Sequence, residues 1–173
     1  MEGESARRAV GIVVGISQEE KLLKPHIAAQ KPDTRPLLRC ADMDIGRAAE
    51  LAQELTDGGV CGLISFGVAG ALDTSLKPGD LILPQTILST DGQAISTDLE
   101  WVRALEVLCQ AQSNAALISS PVPVTTVEGK RTLFERFGAV AVDMESFAIA
   151  KVAQEAKLPF LAIRVIVDAS DPV

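Results

Sequence analysis

Acidic and small residues follow four apolar segments of this sequence. They occupy positions 15–20, 67–72 and 143–145, and Asp168 is the fourth site. A carboxyl group can donate or accept a proton, and a carboxylate can accept two hydrogen bonds from a diol. Glycines beside them let a ligand approach the backbone closely. If the four segments end strands of one sheet, these groups should meet in a cleft at the carboxyl ends of the strands.

Asp168 directly follows the apolar run at positions 165–167, so we expect apolar surroundings for its carboxyl group. Such surroundings disfavour the charged form, and they would leave Asp168 protonated near neutral pH and able to act as an acid. The alternative is an aspartate that caps the turn after a strand.

A second acidic group, Asp143 and Glu145 around Met144, opens a predicted helix directly after an apolar strand. Carboxylates at this place can be structural, because the helix dipole favours them, or can hold the two hydroxyls of a sugar. Met144 would offer an apolar surface beside them or pack into the core. Glu19 or Glu20 is either a solvated charge at a helix start or a group that deprotonates a water molecule.

Composition excludes several classes of protein. The formal net charge of -7 argues against nucleic-acid binding, and no apolar run is long enough to cross a membrane. Three scattered cysteines and a single histidine argue against a Cys/His metal site and a histidine-dependent nucleophile, so we expect no metal and no cofactor. The cysteine usage, and an acidic start at residues 1–5 that is unlike a secretion signal, favour the cytoplasm.

Few cations lie where they could bind a phosphate. Arg39 and Arg47 come near the end of a predicted strand and are the candidates. Arg164 lies inside the last predicted strand, where we expect a buried ion pair.

Strand and helix patterns alternate along the chain. Residues 67–70 are expected to form a turn, because two glycines follow a buried strand directly. The pattern predicts one domain over residues 1–173, with an α/β fold and a mixed, mostly parallel central sheet flanked by helices. Predicted strands cover residues 9–16, 37–40, 60–67, 85–89, 116–124, 138–142 and 158–167. Predicted helices cover residues 19–29, 98–112, 126–137 and 145–156. One more predicted helix ends at residue 55 and is capped by Asp42 or Asp44.

Three segments together resemble the purine nucleoside phosphorylase and methylthioadenosine/S-adenosylhomocysteine nucleosidase superfamily. They are residues 65–73 with the Leu-Lys-Pro-Gly-Asp turn at 76–80, the Ala-Val-Asp-Met-Glu-Ser segment at 141–146, and residues 159–168. The resemblance covers nearly the whole chain and is greatest to bacterial hopanoid-associated phosphorylases. It implies a nucleoside phosphorylase-like fold and release of adenine from a nucleoside of the adenosylhopane type, in hopanoid synthesis. Methylthioadenosine or S-adenosylhomocysteine as substrate, and a non-catalytic nucleoside-binding remnant, are the alternatives.

Matched by position, the resemblance implies a role for each candidate. Asp168 would protonate N7 of the purine, and Glu145 would hold the ribose hydroxyls. Glu19, or Glu20 after a one-residue slip, would activate the attacking water. Residues 124–127 would flank the base. The expected substrate-binding set is Val68, Ala69, Gly70, Val127, Asp143, Met144 and Glu145.

The sequence also departs from the family pattern. Ser65 lies about where phosphorylases of this superfamily carry an arginine for phosphate. Phosphate as co-substrate would then rely on Gly15 and Arg39, and otherwise water is the nucleophile. Val167 replaces a serine that commonly precedes the acid. The chain ends five residues after Asp168, where relatives usually continue into a helix, so we expect that helix to be absent. Because superfamily members usually associate, we expect a homodimer or a higher homo-oligomer.

Overall fold

Strands and helices alternate along most of the chain. The computed structural model describes residues 9–170, except residues 110, 112 and 114. The acidic start at residues 1–5 lies outside the described residues. The elements are β1 (Gly11–Val14), α1 (Ser17–Ala28), β2 (Leu37–Cys40), α2 (Ile45–Asp57), β3 (Leu63–Ala71), β4 (Leu81–Ile82), β5 (Thr86–Ser89), β6 (Ala94–Ser96), α3 (Leu99–Cys109), β7 (Ala116–Ser119), α4 (Val127–Phe137), β8 (Ala141–Asp143), α5 (Ser146–Glu155) and β9 (Phe160–Asp168).

One mixed sheet contains all the described strands. Its main path runs β2-β1-β3-β8-β7-β5-β6, while β9 pairs with β3 and β4. The pairs β1–β2, β1–β3, β3–β9, β5–β7 and β7–β8 are parallel, and β3–β8, β4–β9 and β5–β6 are antiparallel. The predicted α/β fold with a mostly parallel central sheet and helices at its sides is therefore confirmed.

The predicted turn at residues 67–70 is wrong, because this segment belongs to β3. Gly67 pairs with Arg164 of β9, and Gly70 pairs with both Asp168 of β9 and Val142 of β8. Pairing on both sides keeps the backbone extended despite the two glycines. The register of β3 against β9 shifts between Ala69 and Gly70. Strand β6, which forms a hairpin with β5, was not predicted either.

Helix α2 shows how the sequence pattern produces packing. Of the two expected caps, Asp44 is the one observed, and its side chain accepts a hydrogen bond from Arg47 N. The buried face of the helix packs with α5, with which it shares a core cluster on the sheet. This face consists of Ala48, Leu51, Ala52 and Leu55, as predicted. Thr126 caps α4 in the same way.

No helix within the described part of the chain is long and apolar enough to cross a membrane.

Candidate active site

A cleft of about 250 Å³ opens at the carboxyl ends of β1, β8 and β9, beside the second half of β3. It brings together nearly all of the sequence-predicted site residues, as expected for ligand sites in such sheets. The predicted residues that line it are Gly15, Glu19, Val68, Ala69, Gly70, Asp143, Met144, Glu145 and Asp168.

Three glycines in this region each lie directly against one carboxyl group. A Cβ atom added to Gly67 would lie 2.5 Å from Oε1 of Glu19, a distance that real contacts do not reach. The corresponding closest distances are 2.9 Å from Gly70 to Oδ1 of Asp168 and 3.2 Å from Gly15 to Oε1 of Glu145. The absence of a side chain is what lets each carboxyl group approach the backbone.

Glu19 is buried and is held by three backbone amides. Its Oε2 accepts hydrogen bonds from Gly15 N at 2.9 Å and Ile16 N at 3.0 Å, and its Oε1 accepts one from Val68 N at 2.9 Å. Glu20 instead forms an ion pair with Lys24, with 3.0 Å between Nζ and Oε1. Of the two glutamates left open by the sequence, the structure therefore places Glu19 in the cleft.

Glu145 lies at the N-cap position of α5, but its side chain makes no capping hydrogen bond. Burial raises the pKa of the Glu145 carboxyl, and the nearby charge of Asp143 adds to this effect. Arg164 acts in the opposite direction, and Glu19 adds a further increase. Glu145 is thus a partly buried carboxyl that faces a cleft and carries a raised pKa, a combination often found in active sites.

Asp143 is tied into a buried network. Its Oδ2 accepts hydrogen bonds from Arg164 Nη2 at 2.7 Å and Nε at 3.0 Å, and from Ser146 N at 3.1 Å. Its Oδ1 accepts one from Ser119 Oγ at 2.5 Å. Arg164 also donates to Ser65 Oγ. The expected buried ion pair of Arg164 is confirmed, and Asp143 contributes to the cleft wall while its carboxylate oxygens are engaged by protein donors.

The apolar surroundings expected for Asp168 are not found. Its side chain is 51% exposed and forms an ion pair with Lys130, with 2.6 Å between Nζ and Oδ2. Asp168 is the last residue of β9, and at the end of the strand the sheet no longer buries the side chain. Sequence reasoning missed Lys130, since a lysine in a helix that otherwise looks solvent-exposed carries no sign of burial.

Two other expected site residues lie elsewhere. Val127 is the first residue of α4 and lines a separate cavity with Lys130 and Phe134, because the chain turns away from the cleft at the Thr126 cap. The cleft wall expected from 124–127 comes instead from residues 122–125. Arg39 is exposed on β2 and donates to the carbonyl of Leu38.

The cleft also contains residues that were not predicted. Met43 lines it in the left-handed conformation, with φ at +64°, and donates from its backbone N to Gly15 O at 2.8 Å. Non-glycine residues in this conformation are concentrated at functional sites, but the sequence alone does not reveal it. Val122 and Val167 add apolar surface to the same cleft.

The arrangement suits acid–base chemistry on a small ligand. Three carboxyl groups, those of Glu19, Glu145 and Asp168, share a cleft whose remaining wall is mostly apolar or backbone. Such a site can protonate a leaving group, hold a diol and position a water molecule. Within the part of the chain that the structure describes, no group of three or more histidine, cysteine or acidic side chains is arranged to hold a metal ion.

The fold matches that of solved nucleosidases. Futalosine hydrolase of Helicobacter pylori strain 26695 superposes with a TM-score of 0.86 at 18% identity, over 95% of this chain and 86% of that protein. 5'-Methylthioadenosine/S-adenosylhomocysteine nucleosidase of Neisseria meningitidis gives 0.84 at 22% identity, over 95% and 87% of the two chains. These likenesses confirm the nucleoside phosphorylase-like fold.

Sequence comparison reaches the same group of proteins. The 5'-methylthioadenosine/S-adenosylhomocysteine nucleosidase of Buchnera aphidicola is 31% identical over an alignment 130 positions long, which covers 63% of this chain and 52% of that protein. The Staphylococcus epidermidis enzyme of the same name is 27% identical over 63% of this chain and 57% of its own length. The matched segment thus spans little more than half of these relatives. The model of the phosphorylase superfamily matches residues 43–172, well over half of the chain, so this protein belongs to that superfamily.

Proposed function

We propose that this protein cleaves the N-glycosidic bond of adenine nucleosides with water, and that its substrates are 5'-methylthioadenosine and S-adenosylhomocysteine. The observation that carries the proposal is the presence of Glu19, Glu145 and Asp168 in one cleft. The matched relatives bear the name of this nucleosidase, which supports these two substrates over other adenine nucleosides.

Each carboxyl group has one role in the proposed reaction. Asp168 takes up a proton from solvent and donates it to N7 of the purine. The base then takes the electron pair of the breaking C1'–N9 bond and leaves as a neutral molecule. Glu145 accepts hydrogen bonds from the ribose hydroxyls and, with Glu19, stabilises the cation-like sugar electrostatically. Glu19 takes a proton from the water molecule whose oxygen forms the new bond to C1'.

Water suits this cleft better than phosphate as the nucleophile. No arginine or lysine lines the cleft among the residues that the structure describes. The expected phosphate ligands are also occupied or distant: Gly15 N donates to Glu19, and Arg39 donates to Leu38 O. A phosphate dianion would therefore meet carboxylates without a compensating cation, which electrostatics disfavours.

A second candidate substrate is an adenine nucleoside with a large apolar 5' substituent, of the adenosylhopane type used in hopanoid synthesis. Its support is an apolar rim formed by Met43, Val68, Val122 and Val167, which line the cleft and are 39% to 64% exposed. Exposed apolar surface around a cleft is typical of a binding site for an apolar group.

We also propose a homodimer or higher homo-oligomer in the cytoplasm. Val107 and Leu108 of α3 are 85% and 76% exposed, and adjacent exposed apolar side chains favour association. Sedimentation velocity of the purified protein measures the assembly, and a monomer at micromolar concentration would contradict it.

Adenine release from several 5'-substituted adenosines, measured with and without phosphate, tests the proposal. We expect release without phosphate, highest for the methylthio compound, and a fall of roughly 100-fold or more in Asp168→Asn, which cannot protonate N7. Asp57→Asn, which changes an exposed aspartate of α2, is the matched control and should remain fully active. Binding of adenine without turnover of any nucleoside would instead show a non-catalytic protein.

A further inference from the structure

Lys130 is an unusually buried lysine, with only 4% of its surface exposed. Lysine is almost never buried to this degree unless its charge is paired. Its ammonium group donates to Oδ2 of Asp168 at 2.6 Å and to the carbonyl oxygen of Ala169 at 2.7 Å. Helix α4 therefore places the Lys130 ammonium group beside Asp168, the residue at the end of β9 that is proposed to act as the acid.

The two oxygens of Asp168 face different neighbours. Oδ2 contacts Lys130, whereas Oδ1 lies against Gly70, which lines the cleft. The register shift between Ala69 and Gly70 brings Gly70 opposite Asp168 at this point. The carboxyl group thus lies between the Lys130 ammonium group, which donates a hydrogen bond to it, and the backbone of Gly70.

We propose that Lys130 is a positioning residue for Asp168, a role that rests on the proposed N-glycosidic cleavage. It orients the carboxyl group so that Oδ1 faces the purine. When the O–H bond of Asp168 breaks and the N7–H bond forms, the carboxylate left behind is already paired with the ammonium group. Because this pairing is strongest after proton transfer, it stabilises the transition state more than the bound substrate.

A purely structural role for Lys130 makes a different prediction. If its only function were to tether α4 to Ala169, replacing it would lower the stability of the protein and would act independently of Asp168. If it acts through Asp168, its replacement affects kcat, and the effect disappears once Asp168 can no longer donate a proton. A double-mutant cycle separates the two.

The experiment measures kcat and KM for adenine release in Lys130→Gln and Lys130→Arg, each also combined with Asp168→Asn. We expect Lys130→Gln to lower kcat roughly 10- to 100-fold with KM within about threefold, and Lys130→Arg to recover part of the loss. In the Asp168→Asn background, Lys130→Gln should change the residual rate by less than about twofold. Arg131→Met removes a neighbouring, exposed cation of the same helix and is the control.

Two results would overturn this inference while leaving the proposed function intact. One is a wild-type kcat in Lys130→Gln, and the other is an equal loss in the presence and absence of the Asp168 carboxyl. If the wild-type protein released adenine from none of the nucleosides, the proposed function itself would fall, and the role of Lys130 with it.

Discussion

The three carboxyl groups of the cleft are held in three different ways. Glu19 accepts hydrogen bonds from backbone amides, Asp168 pairs with the Lys130 ammonium group, and Glu145 is packed against Gly15. Burial raises the pKa of the Glu145 carboxyl, whereas the other two carboxyl groups are fixed by hydrogen bonds from protein donors. Carboxyl groups in one cleft are thus given different environments, which is how a site assigns different proton-transfer roles to chemically similar groups.

At Gly67, a single methyl group is expected to disturb the site. In Gly67→Ala the new Cβ would lie 2.5 Å from Oε1 of Glu19, so the carboxyl group must move and lose its hydrogen bond from Val68 N. We expect adenine release to fall at least about tenfold, with a loss of about 1–3 kcal/mol in the free energy of unfolding. Gly58→Ala, at the end of α2 away from the cleft, is the control for adding a methyl group, and comparable activity losses in both variants would contradict this prediction.

The raised pKa of Glu145 predicts that the stability of the protein depends on pH. Because the pKa of Glu145 is raised in the folded protein, folding favours the protonated carboxyl group. The contribution of this group to the free energy of unfolding is therefore complete below the ordinary glutamate pKa and is lost as the pH rises through the raised value. Glu145→Gln has no carboxyl group to titrate, so it avoids this loss of stability at higher pH. Melting temperatures measured from acidic to neutral pH should therefore show the variant gaining on the wild type as the pH rises, while adenine release is lost. A difference that does not change with pH would count against the raised pKa.

Several residues of the site lie at the ends of elements or between them, whereas residues 68–70 lie within β3. Gly15 follows β1 and precedes α1, Glu145 lies between β8 and α5, and Asp168 ends β9. Helix α2 contributes no residue to the cleft and instead covers the sheet with its apolar face. Changes within α2 should therefore affect stability without affecting chemistry.

The cap of α2 tests this division of roles. In Asp44→Ala the hydrogen bond from Arg47 N, 2.8 Å long, is lost, and we expect the free energy of unfolding to fall by about 1 kcal/mol. Urea denaturation followed by the fluorescence of Trp101, the single tryptophan, measures the change. The kcat for adenine release should stay at the wild-type value, and a parallel loss of activity would show that α2 does more than cover the sheet.

In the molecule as a whole, one buried network joins β3, β7, β8, α5 and β9. Arg164 of β9 lies at its centre and contacts Asp143, Ser65 and Ser146, while Ser119 connects Asp143 to α5 through Phe147 N. A buried charge is stable only while its partners are present. The network therefore fixes the relative positions of the strand ends that carry Glu145 and Asp168.

Loss of Arg164 should be costly to the entire fold. Arg164→Met leaves Asp143 buried without its cation, and we expect a loss of about 3–5 kcal/mol in the free energy of unfolding. Adding Asp143→Leu should restore part of it, because no uncompensated charge remains. Arg47→Met breaks exposed ion pairs with Glu50 and Glu54 and should cost far less in the same urea titration, because water screens these charges. Equal losses for the two arginines would be inconsistent with a buried network.

Local patterns were sufficient for the fold class and for most of the cleft. Buried apolar runs predict strands, and their alternation with helical patterns predicts a mostly parallel sheet, whose strand ends bring Glu19, Glu145 and Asp168 together. The cap Thr126 was equally predictable, and for α2 the sequence narrowed the cap to Asp42 or Asp44, because a cap acts on amides only a few residues away.

Other features depend on partners that are distant in the chain. Residues 67–70 are extended because β9, almost a hundred residues later, pairs with them, and this outweighs the local preference of glycine for a turn. Lys130 is buried because Asp168, 38 residues away, compensates its charge. Local composition predicts which residues can react and which elements carry them, but strand pairing and charge compensation arise only when remote segments pack, and these decided the surroundings of each carboxyl group.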